Sequence, residues 1–251
     1  MKISSELLHK LSLARNIVLF TGAGVSAGSG IPTFRGNDGI WKKMKPEELA
    51  NFDAFIKNPD LVWEWYLHRK KIMTSINPNA GHIAIMELEK YFSVVNVITQ
   101  NIDNLHFRAG SKNVFELHGN IERNFCIGCK TLYSNDQLFA IIDKKNNRTP
   151  HCITCNGLIR PDVVWFGESL QENIWKGAVT SVKQCDVFFS VGTSSIVYPA
   201  ASLIEIARQY SAYIVEVNTE STEMSYYADE CIIAKSEDFF PLLINEISIT
   251  K

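Results

Sequence analysis

Short runs of β-branched and aromatic residues recur along the chain with helical patterns between them, and this alternation is its strongest constraint on fold. IVLF (17–20), SVVNVIT (93–99), DVVWFG (162–167), DVFFSVG (186–192) and AYIVEVN (212–218) are strand candidates, with NVFELHG (113–119) a shorter, mixed run. Several are apolar on both faces, and such a strand must be covered on both, as in a parallel sheet flanked by helices. AGHIAIMELEKYF (80–92), ENIWKGAVTSVKQ (172–184) and PAASLIEIARQY (199–210) carry helical patterns that can supply the cover. The expected fold class is therefore α/β, a Rossmann-like doubly wound parallel sheet.

Two segments break the rhythm. Residues 37–79 are helically patterned, notably PDLVWEWYLHRKKIM (59–73), and contain no strand candidate. Residues 121–160 contain paired cysteines and a polar tract, DKKNNRTP (143–150). Both read as insertions that together form a small domain, one part helical and the other bearing the cysteines. Residues 1–36, 80–120 and 161–251 then form the sheet domain. A length of 251 residues at 46% hydrophobic composition suffices for a large core with a smaller module.

A formal charge of −2 carries no basic surplus of the kind nucleic-acid binding needs. MKISSELLHKLSLARN lacks the apolar centre of a secretory signal and reads as an amphipathic helix with Leu7, Leu8, Leu11 and Leu13 on or near one face. No apolar run reaches the roughly 18–20 residues that span a bilayer. The expectation is a soluble, cytoplasmic protein with no nucleic-acid or membrane partner. In that setting Cys126-x2-Cys129 and Cys152-x2-Cys155, separated by 22 residues, read as a four-thiolate Zn2+ site. Four thiolates leave no open coordination position, so the ion's role is structural. His151 beside Cys152 reads as exposed, and Cys185 and Cys231 as buried or inert.

The first apolar run leads into TGAGVSAGSGIPTFRG (21–36), where two patterns overlap. Gly24-Val25-Ser26-Ala27-Gly28 spells G-x-S-x-G, a serine-hydrolase elbow. That elbow follows a central strand with several strands before it, whereas a single candidate precedes Ser26. Gly22, Gly24 and Gly28 also form a glycine loop that lets backbone approach a pyrophosphate. The spacing departs from the standard dinucleotide fingerprint, and no ribose-binding acid stands about 20 residues on. Three further clusters favour the nucleotide reading. Gln100, Asn101 and Asp103 follow a strand, where open α/β sheets bind ligands. His118, in ELHGN, can act as a general base near neutral pH. Gly192, Thr193 and Ser194 form a small polar loop after another strand.

Taken in order, GAGVSAGSGIPTFRG, TQNIDNLH, ELHGN, the paired CxxC, VVWFGE, VGTSS and EVN resemble the sirtuin family of NAD-dependent protein lysine deacylases over nearly the whole chain. The resemblance implies that Gly22, Ala23 and Gly24 bind the NAD pyrophosphate, with Ser26 part of the phosphate turn. Phe34 and Arg35 fall on a cofactor-binding loop. Asn101, Ile102 and Asp103 lie at the nicotinamide end, and Gln100 near the ribose. Gly192, Thr193 and Ser194 match the adenosine side, Asn218 the adenine ribose, and His118 the catalytic histidine. Val163, Trp165, Phe166 and Gly167 match the segment that pairs with an acylated substrate peptide as an added strand. The family's reaction yields nicotinamide, free lysine and O-acyl-ADP-ribose.

One departure points to specificity. Thr33 stands where most sirtuins carry Asp, a pattern resembling the subgroup that removes succinyl and malonyl groups. Tyr66 and Arg69 are i, i+3 neighbours on a helix, and hydroxyl plus guanidinium suit a carboxylate. In that subgroup such a pair grips the acyl carboxylate, and Ala50 matches the small residue that widens the pocket. The expectation is acidic-acyl removal exceeding acetyl removal. Alternatives are a mono-ADP-ribosyltransferase, an NAD- or ADP-ribose-sensing module, and, least supported, the hydrolase.

Overall fold

The computed structural model describes residues 1–31, 46–145 and 149–250. Thr33, Phe34 and Arg35 lie outside the described residues. Six strands form an all-parallel sheet: β1 (Asn16–Thr21), β2 (Val94–Thr99), β3 (Val114–Glu116), β7 (Val187–Val191), β8 (Tyr213–Asn218) and β9 (Glu230–Ile233), in the order β3-β2-β1-β7-β8-β9. Three more, β4 (Gly119–Cys126), β5 (Leu132–Ser134) and β6 (Ile159–Val163), form an antiparallel sheet in the order β5-β4-β6.

The period-2 alternation of β1 explains the layers. Ile17 and Leu19 enter a core with Leu7, Leu11, Ile85, Phe239, Phe240 and Leu243, contributed by the helices on one face. Val18 and Phe20 enter a second core with Ala178, Val182, Leu203 and Ile204, from Glu172–Lys183 and Ser202–Gln209. β7 is buried along its length, while β3 and β9 at the edges are half-exposed. The first-helix expectation holds for Leu7 and Leu11 but not for Leu13, which is exposed because Ser5–Leu13 ends there and the chain turns into β1.

A third core lies against the antiparallel sheet. Helix Pro59–Ser75 starts at Asn58, whose side chain caps Leu61, with Pro59 in the first turn. It buries Trp63 and Tyr66 against Ile121, Leu138, Ile159 and Trp165. The 162–167 run is therefore a correction. Its strand starts earlier, at Ile159, and pairs antiparallel with β4, not in the large sheet. Pro161 in its middle suits an edge strand, and Trp165 and Phe166 leave the ladder altogether. Among the described residues no helix is long and apolar enough to cross a membrane.

Candidate active site

From β1 the chain builds outward through β2 to β3, then returns to place β7 on β1's other side. The crevice beyond the carboxyl ends of β1 and β7 is the switch point where open α/β sheets take ligands. Two glycine-bearing loops interlock there. Gly22 N donates to the Val191 carbonyl at 3.0 Å and Gly24 N to the Gly192 carbonyl at 2.7 Å. A Cβ on Gly24 would lie 2.6 Å from Gly192 Cα, and one on Gly192, whose φ is +56°, 2.5 Å from Val25 N. These glycines let one loop pass another, a role distinct from the approach to phosphate that the sequence suggests.

The third loop, after β2, is tied to both. Gln100 Nε2 donates to Thr193 Oγ1 at 2.8 Å, and Asn218 Nδ2, at the end of β8, donates to the Thr193 carbonyl at 3.0 Å. Asn101 Nδ2 donates to the Gly22 carbonyl at 2.9 Å and to Ser26 Oγ at 3.1 Å. Ser26 Oγ in turn donates to Asp103 Oδ2 at 2.7 Å, and Asp103 Oδ1 accepts from Leu105 N at 2.9 Å. Ser26 is 1% exposed. That hydroxyl is enclosed in the protein and committed to a carboxylate, which argues against the hydrolase reading; Ser26 stands on the segment after β1 that bears Gly22 and Gly24. Burial raises the Asp103 carboxyl, against the opposing Ser26 bond. His82 Nε2 lies 3.4 Å from Ser26 Oγ, and His106 Nε2 bonds Thr21 Oγ1 at 3.0 Å. Burial pushes His82 down to about 4 and His106 well below its usual value. The sequence reading missed this layer. Its available signal was the capping box of Asn79 and His82, with Asn79 also donating to the Val25 carbonyl.

His118 sits between β3 and β4, half-buried. Its Nδ1 is 2.9 Å from the Gln100 carbonyl, which can only accept, so Nδ1 carries the proton and Nε2 is the acceptor. Burial lowers its pKa, opposed by that bond, so the ring is neutral near pH 7, as a general base requires. Ser195 Oγ and Ser29 Oγ, on the loops that follow β7 and β1, are buried without a partner among the described residues. Orphaned hydroxyls on these two loops fit an oxygen-rich ligand such as NAD. Ser194 beside them is exposed and Thr193 buried.

Ala50, Tyr66, Arg69 and the 163–167 segment also converge. Trp165 Nε1 donates to Tyr66 Oη at 2.7 Å, and Phe166 N donates to the Ala50 carbonyl at 2.9 Å. Trp165 packs on Phe55 and carries the Arg160 guanidinium 3.4 Å from its ring centroid. Arg160 makes a two-pronged bond to Glu168 at 2.5 and 2.8 Å, and Glu168 also accepts from Trp165 N at 2.8 Å. This clamp fixes the Trp165–Gly167 turn, where Gly167 adopts φ +85°. Neither Arg160 nor Glu168 was named from sequence, because their partnership depends on the turn between them. Val164 N donates to the His118 carbonyl at 2.9 Å, which joins this turn to His118. Arg69 stacks on Trp65 at 4.8 Å. Burial lowers Arg69 and raises the Tyr66 phenol to about 12, while each acts electrostatically on the other. Among the described residues β6 pairs on one side only, with β4.

The four paired cysteines come together. Their sulfurs all lie within 4.8 Å of one another, with Cys126–Cys155 at 3.4 Å and Cys129–Cys152 at 3.5 Å. Such spacings exceed an S–S bond of ~2.05 Å and approach the edge, ~3.8 Å, of a tetrahedron with Zn–S bonds of ~2.3 Å. The two knuckles are alike. Lys130 N bonds the Cys126 carbonyl and Asn156 N the Cys152 carbonyl, and both residues are left-handed, at φ +62° and +58°. Tyr133 Oη donates to Cys152 Sγ at 3.1 Å, favouring the thiolate. The cluster fits a closed structural zinc site. His151 is half-buried rather than exposed, because its Nδ1 bonds the Asn156 carbonyl at 3.0 Å and its backbone bridges Leu158. Cys185 is buried, and Cys231 is exposed. Burial raises both thiols, Cys185 to about 12.

Fold and site define a class: an open parallel α/β protein with a ligand crevice at its switch point, a neutral histidine at the crevice and a thiolate metal module alongside. A model of the Sir2 family matches residues 22–199, and the chain belongs to that family. It is 46% identical over 238 residues to NAD-dependent protein deacylase 2 of Pyrobaculum aerophilum, covering 94% of this chain and 93% of that one. It is 46% identical over 246 residues to the NAD-dependent protein deacylase of Pyrococcus furiosus, covering 97% and 96%. Among solved structures, a Sir2 homologue in complex with NAD matches with a TM-score of 0.92 at 39% identity, over 99% of this chain and 95% of that one.

Proposed function

We propose that this chain is an NAD-dependent protein lysine deacylase that removes succinyl and malonyl groups in preference to acetyl. The observation that carries the activity is His118, held as a neutral base with Nε2 as its acceptor by the carbonyl of Gln100, at the crevice where three loops meet. NAD, when bound, would supply an electrophilic ribose carbon with nicotinamide as its leaving group, and the acyl group would pass to ADP-ribose with uptake of one water as the lysine amine is freed. His118 Nε2 accepts the proton of a ribose hydroxyl. The loops bearing Gly22, Ala23, Gly24, Gly192, Thr193 and Ser194 hold the phosphates and adenosine, with Phe34 and Arg35 on the cofactor loop. Asn101, Ile102 and Asp103 border the nicotinamide, Gln100 the ribose and Asn218 the adenosine. Val163 to Gly167 pair with the peptide. Their task is positioning and exclusion of water.

The acidic-acyl preference rests on the buried Tyr66, tied to Trp165 and, through Phe166, to Ala50, with the half-buried Arg69 stacked on Trp65 beside it. We read the chain as two domains, residues 37–79 with 121–160 and the remainder, and place it in the cytoplasm, where thiolates stay reduced. The test is product identification by mass spectrometry from NAD and acyl-lysine peptides. O-Acyl-ADP-ribose formed fastest from succinyl or malonyl peptide is the expected result. ADP-ribose attached to protein, or acyl release without NAD, contradicts the activity, and faster acetyl turnover contradicts the preference. Arg69→Met is expected to raise KM for acidic acyl peptides about tenfold or more while acetyl kinetics stay within about twofold.

A further inference from the structure

Lys70 follows Arg69 directly and lies one turn beyond Tyr66 on helix Pro59–Ser75, so it shares Tyr66's face. It is 1% exposed. Its ammonium donates to the Ile121 carbonyl and, at 2.8 Å, to Asn135 Oδ1. Both acceptors are neutral. A lysine buried on neutral partners loses more solvation than these bonds return, and an apolar side chain would hold the helix with less penalty. Burial pushes the group down to about 7, while the charge of Glu122 raises it.

Directed bonds add to apolar packing a specific anchor against rotation of the helix about its axis. Where Lys70 points is informative. Ile121, whose carbonyl it holds, donates its own N–H to the Ile102 carbonyl at 2.8 Å, in the loop between Asn101 and Asp103. The same helix is held at its far end by Arg108, whose Nη2 donates to the Ile76 carbonyl at 2.6 Å and Nη1 to the Met73 carbonyl at 3.3 Å. Arg108 follows the same loop and fixes the helix along its length. Lys70, level with the acyl-pocket residues, is placed to set their rotation.

We propose that Lys70 is a specificity-positioning residue, which registers the helix bearing Tyr66 and Arg69 against the Asn101–Asp103 loop through the backbone of Ile121, its carbonyl on one side and its N–H on the other. The inference deepens the acidic-acyl reading and rests on it. An acetyl group lacks a carboxylate and is insensitive to where Arg69 points; a succinyl or malonyl group is not. A few tenths of an ångström at the guanidinium changes carboxylate binding without touching His118.

The experiment measures kcat and KM with succinyl, malonyl and acetyl peptides for the wild type, Lys70→Met, Lys70→Arg, Asn135→Ala and Arg69→Met. Zinc content and thermal unfolding are recorded for each. Lys70→Met is expected to raise KM for the acidic acyl peptides about tenfold, with kcat and all acetyl parameters within about twofold. Lys70→Arg, which keeps charge and donors, recovers most of that loss. Asn135→Ala, which removes one acceptor and leaves the lysine, shifts KM in the same direction by a smaller factor and decides the matter should Lys70→Met fail to fold. Equal losses for acetyl and succinyl peptides, or no loss in either, overturn the proposal. If Arg69→Met is selective while Lys70→Met and Asn135→Ala are not, the pocket stands and the role of Lys70 falls. If Arg69→Met is itself unselective, the pocket reading fails and takes the proposal with it.

Discussion

The large parallel sheet and the antiparallel sheet beside it hold their functional residues by different means. At the ends of β1, β2 and β7, backbone groups take part in much of the positioning, with Gly24 N on the Gly192 carbonyl, Gln100 N on the Thr21 carbonyl and His118 Nδ1 on the Gln100 carbonyl, beside side-chain ties such as Ser26 on Asp103 and Gln100 on Thr193. Around the antiparallel sheet the ties run between side chains: Trp165 on Tyr66 and Lys70 on Asn135 across long sequence separations, Arg160 on Glu168 across one turn, and four sulfurs around one point. Backbone ties at strand ends are stiff and indifferent to most substitutions, which suits atoms that take part in the reaction. Side-chain ties are adjustable residue by residue, which suits the choice of acyl group.

The contrast can be broken first at His118. His118→Ala is expected to lower kcat for every acyl peptide by about 10³-fold, within the range of general-base catalysis, with zinc content and thermal stability nearly unchanged. A variant that loses zinc would mean that the two regions are not separable. Removal of the metal, by chelation or by Cys126→Ser, should act in the opposite place. Structural zinc contributes on the order of 10 kcal/mol in small metal modules. Peptide deacylation should be lost together with the antiparallel sheet's circular dichroism signal, while ADP-ribose binding, followed by calorimetry, survives in weakened form.

Smaller effects sharpen the comparison. Gly192→Ala places a Cβ 2.5 Å from Val25 N at a left-handed position, against backbone that cannot move. It is expected to destabilise by roughly 3 kcal/mol in urea unfolding, set against about 1 kcal/mol for Gly30→Ala, where φ is +88° but nothing lies within 4 Å. Acid should then weaken the large-sheet region preferentially. His82, His106 and His118 are all depressed, chiefly by burial. A histidine held neutral contributes stability above its unfolded value near 6.5, and that contribution is lost as pH falls through the folded value, about 4 for His82. For His82 the loss is about 3 kcal/mol by pH 4, visible as a falling unfolding midpoint, and it is absent in His82→Gln.

What the sequence discloses follows the same division. Strands such as IVLF and DVFFSV are legible because central parallel strands are apolar on both faces, and the loops that follow them carry the crevice by topology alone. The cysteine pairs are legible because spacing encodes ligand geometry. β4, GNIERNFC, was not legible: a register shift between Asn120 and Asn124 breaks the alternation a strand would show. Ser26 was placed on the right loop, yet its bond to Asp103 depends on residues 77 apart meeting in space. Lys70 was hidden for a related reason. On sequence it belongs to a basic run, HRKK, and only the position of the Ile121 carbonyl shows that it points inward.

The most direct test follows free nicotinamide and deacylated peptide together over time, with acetyl-, malonyl- and succinyl-lysine peptides, with and without NAD. The account predicts equal amounts of both products, formed only with NAD, fastest with a succinyl or malonyl group, and absent in His118→Ala. Nicotinamide release without deacylation, or deacylation without NAD, would contradict it.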